Sequence, residues 1–249
     1  MKYIFLGSNS DISKEFITKT KPSDEIITIS RNSPSDIKIN WENGYKEFEV
    51  EDFEKLNNWD VLISFIGSQD PIGPIESLDP FEIIKGVNVN FTFQFAMLAN
   101  LLKFRRKNSF NKLILFAGAG TNNAPKNYSV YITSKIALIK LTELIDAECE
   151  NIHATIVGPG WVKTKIHNST LNQDRDLAPE SYDETKRRFR ANEFNDISLI
   201  IDCIKVILNE KSEAFSGRNI SAQYDNWKDK DFKEKLIEDK NIYKLRRII

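Results

Sequence analysis

The sequence is poor in the residues that build covalent or metal frameworks. Among its 249 residues are two cysteines, Cys149 and Cys203, and two histidines, His153 and His167. Two thiols exclude a disulfide scaffold and a four-cysteine zinc site, and so few imidazoles speak against a multi-histidine centre, so no metal is expected. An excess of charge of either sign is also missing: 35 Lys+Arg stand against 36 Asp+Glu, a formal net charge of −1. Such a balance argues against binding nucleic acid through a bulk electrostatic field. No run reaches the roughly 18 apolar residues of a membrane span. The opening Met1-Lys2-Tyr3-Ile4-Phe5-Leu6-Gly7 holds one lysine and a short apolar run, too brief for a signal peptide and better suited to a buried first strand. Together these absences point to a soluble, cytoplasmic protein that meets neither nucleic acid nor membrane.

What is present is a chain with 41% hydrophobic and 11% aromatic residues, enough for a sizeable core. Short apolar runs alternate with longer helical patterns, which is the mark of a parallel sheet covered by helices. The strand-like runs are 3–6, 25–30 (EIITIS), 61–66 (VLISFI), 113–116 (LILF), 154–157 and 219–222. Ile37-Lys38-Ile39 and Phe48-Glu49-Val50 alternate like strands, with Asn43-Gly44 as a turn between them. Helical spacing covers 11–20, 81–104, 128–148 and 197–208, whereas 163–195 reads as polar and loop-like around one helix. No repeat or linker divides the chain. The reading is one α/β domain with a doubly wound parallel sheet of Rossmann type, and a charged tail over 227–249.

Two local patterns carry chemistry. Gly7-Ser8-Asn9-Ser10-Asp11-Ile12 closes the first strand and opens a helix, a place where backbone N–H groups meet a pyrophosphate. Only Gly7 remains of a glycine-rich fingerprint, since Asp11 and Ser13 stand where further glycines are expected; Asp11 alternatively caps the helix. In Tyr131-Ile132-Thr133-Ser134-Lys135 the tyrosine and lysine share a helix face roughly 6 Å apart. An ammonium beside a phenol favours phenolate, so the pair reads as an acid/base couple near neutrality. The rival reading is an ordinary solvated pair.

Taken in order, these pieces make the chain resemble the short-chain dehydrogenase/reductase family over nearly its whole length. The resemblance rests on Gly7 to Ile12, Gly67 after the fourth strand, Asn88 in Val87-Asn88-Val89, Tyr131 with Lys135, and Pro159-Gly160 followed by Thr164. It implies hydride transfer between a nicotinamide cofactor and a carbonyl or hydroxyl of a small molecule. Tyr131 would be the general acid, Lys135 would hold the cofactor ribose and lower the phenol pKa, and Asn88 would anchor a proton-relay water. Val162 and Thr164 would meet the carboxamide, and Glu49 and Val50 would complete the dinucleotide contacts. Assembly into homodimers or homotetramers is implied as well.

The sequence departs from the family at the substrate-orienting serine, about thirteen residues before the tyrosine, where Gly118 stands. The run Ala117-Gly118-Ala119-Gly120-Thr121 is similar to a Gly-rich loop of a bacterial subset linked to cell-surface carbohydrate synthesis. A backbone N–H of this loop, Thr121 or a substrate hydroxyl would then orient the carbonyl. After the second strand, Ser30-Arg31-Asn32 offers a hydroxyl and a guanidinium but no carboxylate, which favours NADP(H) over NAD(H). In 163–195, read as a substrate lid, Trp161 at its edge stacks on a sugar or cofactor ring or merely lines a wall, and His167 is a lid residue near substrate. The cluster Lys186-Arg187-Arg188-Arg190 either faces a phosphorylated or nucleotide-linked substrate or is a solvated helix face. The leading expectation is an NADP(H)-dependent oxidoreductase acting on a carbohydrate-like substrate. Its rival is a nucleotide-binding sensor or complex subunit of the same fold without catalysis. A sugar-nucleotide epimerase or dehydratase is a third reading, though such members usually have a longer substrate domain.

Overall fold

In the computed structural model, which describes residues 1–32, 34–40 and 48–247, the apolar runs form one sheet of seven parallel strands. β1 (Lys2–Leu6) pairs on one side with β2 (Glu25–Ser30), and β2 with the short β3 (Ile37–Lys38). On its other side β1 pairs with β4 (Val61–Ser64), followed outward by β5 (Asn111–Phe116), β6 (Ile152–Gly158) and β7 (Asn219–Ser221). The order β3-β2-β1-β4-β5-β6-β7 is doubly wound, and the winding reverses between β1 and β4. At that switch point the chain leaves the two strand ends in opposite directions and opens a crevice.

Nine α-helices are found among the described residues: α1 (Asp11–Thr18), α2 (Val50–Leu56), α3 (Pro80–Val87), α4 (Phe93–Leu101), α5 (Ser129–Glu148), α6 (Asn168–Asn172), α7 (Pro179–Ala191), α8 (Ile197–Asn209) and α9 (Lys230–Glu238). Because strand side chains alternate, each strand feeds two cores. Ile4, Leu6, Leu62, Leu113, Leu115 and Ile156 pack with Leu98 of α4 and Leu138, Leu141 and Ile145 of α5. Tyr3, Phe5, Ile63, Ile114 and Val157 pack on the other face with Phe16 of α1 and Ile200, Ile204 and Ile207 of α8. The i, i+4, i+7 stripe of α8 is what commits it to that face.

Two expectations change. The helical spacing over 81–104 is not one helix: α3 gives way to a π-turn at Asn88–Thr92 before α4 begins, and a short 3₁₀ turn, Leu102–Phe104, follows. Phe48-Glu49-Val50 is not a strand, since the Asp52 carboxylate takes the Glu49 N–H (3.2 Å) and α2 starts at Val50. The Asn43-Gly44 turn lies outside the described residues. The charged tail is tied to its own chain. Leu236 is buried, the Arg218 guanidinium donates to the carbonyls of Leu236 and Asp239, and Arg246 pairs with Glu143 of α5.

Trp59, fully buried ahead of β4, donates its indole N–H to the Leu101 carbonyl at the end of α4 (2.7 Å). Trp59→Phe removes the donor inside an apolar core and is expected to cost about 1–3 kcal/mol. Urea unfolding measures this, and a change within the scatter of surface substitutions, about 0.5 kcal/mol, would reject it.

Candidate active site

The crevice at the carboxyl ends of the strands holds two adjoining cavities of about 600 and 380 Å³. They share Ser10, Arg31, Phe65, Ile66, Gly67, Ser68, Asp70 and Lys165, so they are lobes of one cleft. The larger lobe adds Gly7, Asn9, Ser30 and Asn32; the smaller adds Asp11, Ile12, Tyr131, Lys135, Pro159, Gly160, Trp161, Val162, Thr164 and His167. Most residues singled out from the sequence therefore meet in one place.

At the phosphate turn Gly7 has φ 72°, and a Cβ there would lie 3.0 Å from Ile66 Cγ1 and 3.2 Å from the Ile66 nitrogen. Only glycine lets the chain pass so close to the end of β4. The cap of α1 is Ser10, whose hydroxyl accepts the Ser13 N–H (3.0 Å). Asp11 is thus not the cap; its carboxylate instead accepts the Lys165 N–H (2.8 Å) from the loop after β6. The N–H groups of Asp11 and Ile12 belong to the first helical turn, where no intrahelical acceptor exists, and both residues line the cleft. This cradle fits a dinucleotide: the N–H groups of Asp11 and Ile12 would hold its pyrophosphate. Ser8 is buried under the turn rather than in the cleft. Asn9 donates from its amide to Ser30 Oγ (2.9 Å) and to the Asn32 carbonyl (3.0 Å), which fixes the turn carrying Arg31. Glu49 is exposed and does not line the cleft among the described residues, and the Val50 side chain lies outside what is described.

Tyr131 and Lys135 sit one turn apart on α5 at the floor of the smaller lobe. Lys135 is 2% exposed, and its ammonium donates to the carbonyls of Phe116 (3.0 Å) and Ile66 (3.2 Å), at the ends of β5 and β4. Burial lowers its pKa to about 8. Burial also pushes the Tyr131 phenol up to about 12. The expectation that the ammonium makes the phenol a phenolate near neutrality is therefore reversed in this dry setting. Nζ lies 5.8 Å from the phenol ring centroid, and the cost of stripping water from the oxygen prevails. A phenol kept neutral is a proton donor, which is the form a general acid needs.

Asn88, the expected relay anchor, begins the π-turn and does not line the cleft. The buried amide of the turn is Asn90, two residues on. Its Oδ1 accepts the Ser68 N–H (2.9 Å), and its Nδ2 donates to the carbonyls of Ser68 and Gly86 (both 2.9 Å). Gln94 Nε2 donates to the Asn90 carbonyl (2.7 Å), and Ser64 Oγ donates to Gln94 Oε1 (2.8 Å). The π-turn is what aims both amides at β4 and the loop after it. The signal was in the sequence as a second asparagine in Val87-Asn88-Val89-Asn90, but its inward direction depends on the extra residue in the turn.

Gly118 lies under the phenol. A Cβ there would fall 2.7 Å from Tyr131 Cε1 and 2.8 Å from Tyr131 Oη. The missing serine and the seated tyrosine are thus one feature. Thr121 turns its hydroxyl back to the Gly118 carbonyl (3.3 Å) and does not line the cleft. His167 is buried, donates from Nε2 to the Val162 carbonyl (2.9 Å), and is held neutral by burial. Trp161 stacks on His167, centroids 5.0 Å apart and 2° from parallel, and the Arg188 guanidinium lies 4.6 Å from the same indole ring. Its π-system is already engaged by the lid. The cations of α7 do not line the cleft among the described residues: Arg187 pairs with Glu184 and Glu193, and Lys186 lies over Tyr182. Sequence reasoning missed Asp70, whose carboxylate accepts from Ser68 Oγ (3.1 Å) and Ser169 Oγ (2.9 Å) in the cleft wall, beside Gln69.

Two outcomes are expected. Gly118→Ser should not restore a missing function; it should displace the phenol and lower turnover by about 10²-fold, and a rise in kcat would refute this. For Lys135 the folded pKa is about 8 against an ordinary 10.5. The unfolded chain binds the extra proton between those values, so the parent gains stability as pH rises through that window. The stability lead of Lys135→Met over the parent should therefore shrink by roughly 3 kcal/mol from pH 8 to 10.5. Denaturant titration at several pH values reads it, and a lead independent of pH would contradict a buried cation.

A family model described as short chain dehydrogenase matches residues 42–175, more than half of the chain. Among solved structures, a short-chain dehydrogenase/reductase from Saccharomyces cerevisiae aligns with 93% of this chain and 98% of its own, with TM-score 0.75 and 16% identity. A small-chain dehydrogenase in complex with NADPH aligns over 89% and 95%, with TM-score 0.69 and 18% identity. A 4-hydroxyisoleucine dehydrogenase complexed with NADH aligns over 89% and 96%, with TM-score 0.68 and 20% identity. At such identities these structures speak for the fold, and the family match speaks for descent. The chain belongs to the short-chain dehydrogenase/reductase family and is, by that membership, an NAD(P)-dependent oxidoreductase.

Proposed function

We propose that the chain is an NADP(H)-dependent oxidoreductase that interconverts a carbonyl and a hydroxyl on a small, polar, carbohydrate-like substrate. The observation that carries this reading is the placement of Tyr131 and Lys135 at the floor of a cleft whose other end is the phosphate turn. A bound nicotinamide dinucleotide supplies or receives the hydride. In the reductive direction Tyr131 Oη gives its proton to the carbonyl oxygen, and the neutral phenol enforced by burial makes this the favoured starting state. Lys135, gripped by two carbonyls, holds a positive charge beside the phenolate that remains and so eases the loss of the proton. Asn90 keeps Ser68 and Gly86 in register, which fixes the wall opposite α5. Substrate hydroxyls are met by Asp70, Gln69 and Ser169 rather than by the self-paired arginines of α7. With no side chain at Gly118, the carbonyl is oriented by the backbone of the 117–121 loop and by this polar wall.

Arg31 supports the cofactor preference. It is exposed just after β2 and lines both lobes, and the run Ser30-Arg31-Asn32 contains no acidic residue. An arginine there pairs with a 2′-phosphate, whereas an acid there would repel it. Assembly into homodimers or homotetramers belongs to the same proposal, supported by Phe95 of α4 and Leu144 of α5, which are 45% and 44% exposed.

The test is oxidation of NADPH followed by absorbance against a panel of keto-sugars, with NADH in parallel, for the parent and Tyr131→Phe. Turnover is expected with NADPH, falling by at least about 10²-fold in the variant. Equal rates in the two proteins remove Tyr131 from the mechanism, and tighter NADH binding overturns the cofactor choice. Tight NADPH binding without turnover replaces the enzyme by the sensor reading.

A further inference from the structure

Asp11 is an odd residue for a pyrophosphate turn, since it puts a carboxylate where the backbone should approach an anion. The structure shows where that charge is spent. Asp11 Oδ2 accepts the backbone N–H of Lys165 (2.8 Å), which pins the loop after β6 to the first residue of α1. From that pinned backbone the Lys165 side chain reaches back, and its ammonium donates to the Asn9 carbonyl within the same turn. An ammonium has three donors, and among the described residues Asn9 is its single partner. Lys165 is exposed and lines both lobes of the cleft, so it stands at their junction. Its neighbour Lys163 is spent differently, over the Phe189 ring at 5.7 Å.

We infer that Lys165 is a phosphate-binding residue for the dinucleotide, and that Asp11 positions it; side-chain charge here does what lost glycines do elsewhere. This rests on the dinucleotide reading above. A pyrophosphate brings two negative charges to a turn that offers the Asp11 and Ile12 N–H groups but also the Asp11 carboxylate. Lys165 brings a positive charge to the same turn, and two of its three ammonium donors have no partner among the described residues. The lysine moves from the Asn9 carbonyl toward the phosphates with its backbone still held by Asp11.

The experiment is equilibrium binding by fluorescence titration, with no turnover required. The ligands are NADPH, NADH and adenosine 2′-monophosphate, which lacks the 5′-phosphate. Lys165→Met is expected to raise the dinucleotide Kd at least about tenfold and to flatten its salt dependence, while leaving adenosine 2′-monophosphate within about twofold. Lys165→Arg should stay near the parent. Asp11→Ala should weaken dinucleotide binding and Asp11→Asn, which keeps an acceptor for the Lys165 N–H, should restore it; both effects should vanish when Lys165 is methionine. Dinucleotide binding unchanged in Lys165→Met, or an equal loss for the mononucleotide, overturns the assignment. A parent that binds neither dinucleotide overturns the functional reading and this assignment with it, and the two failures are told apart by the parent alone.

Discussion

Everything in the cleft is arranged around one buried ammonium. Lys135 Nζ is held by two backbone carbonyls, one at the end of β5 and one just past the end of β4, with the side chain 2% exposed. Those carbonyls are available because parallel strands leave unpaired groups at their carboxyl ends, and because Gly67 has no side chain to stand between them and the lysine. A Cβ on Gly67 would lie 3.3 Å from Nζ. The lysine belongs to the buried face of α5. One turn earlier on the same face, the Tyr131 phenol can only lie over Gly118, whose missing side chain gives it room. The protonation states follow from the same dryness, with the cation lowered and the phenol raised.

The departures from the family pattern are physically coupled. Gly118 stands where the family has its serine, and a Cβ there would crowd the phenol. At the phosphate turn Asp11 and Ser13 stand where glycines are expected, and the Asp11 carboxylate accepts the Lys165 N–H while the Lys165 ammonium donates to the Asn9 carbonyl. The lid illustrates a different balance. Most cations of α7 pair with nearby glutamates or rest on aromatic rings, so the wall that faces the smaller lobe is left to Asp70, Gln69 and Ser169. A cluster of arginines in a sequence states how much charge there is, and neighbours decide which way it points.

The match to solved structures at 16–20% identity shows how little side-chain detail the fold needs. What persists is apolar alternation feeding two cores and a reversal of winding between β1 and β4, which together place a crevice at the strand ends whatever residues line it.

Strand runs such as VLIS and LILF, the α8 stripe of isoleucines, the glycine closing β1 and the Tyr131/Lys135 spacing were legible from the chain alone. Each is a local pattern whose meaning is set by periodicity, and periodicity is carried by sequence. The inward direction of Asn90, the contact of Asp11 with Lys165, the engaged face of Trp161 and the raised pKa of Tyr131 were not legible. They depend on a π-turn that shifts a helix face, on a loop more than 150 residues away in sequence, and on how completely water is excluded. Sequence thus determined which elements form and which end of the sheet they leave open. Only tertiary structure decided which polar groups find partners there, because hydrogen-bond geometry and desolvation depend on atoms brought together from distant segments.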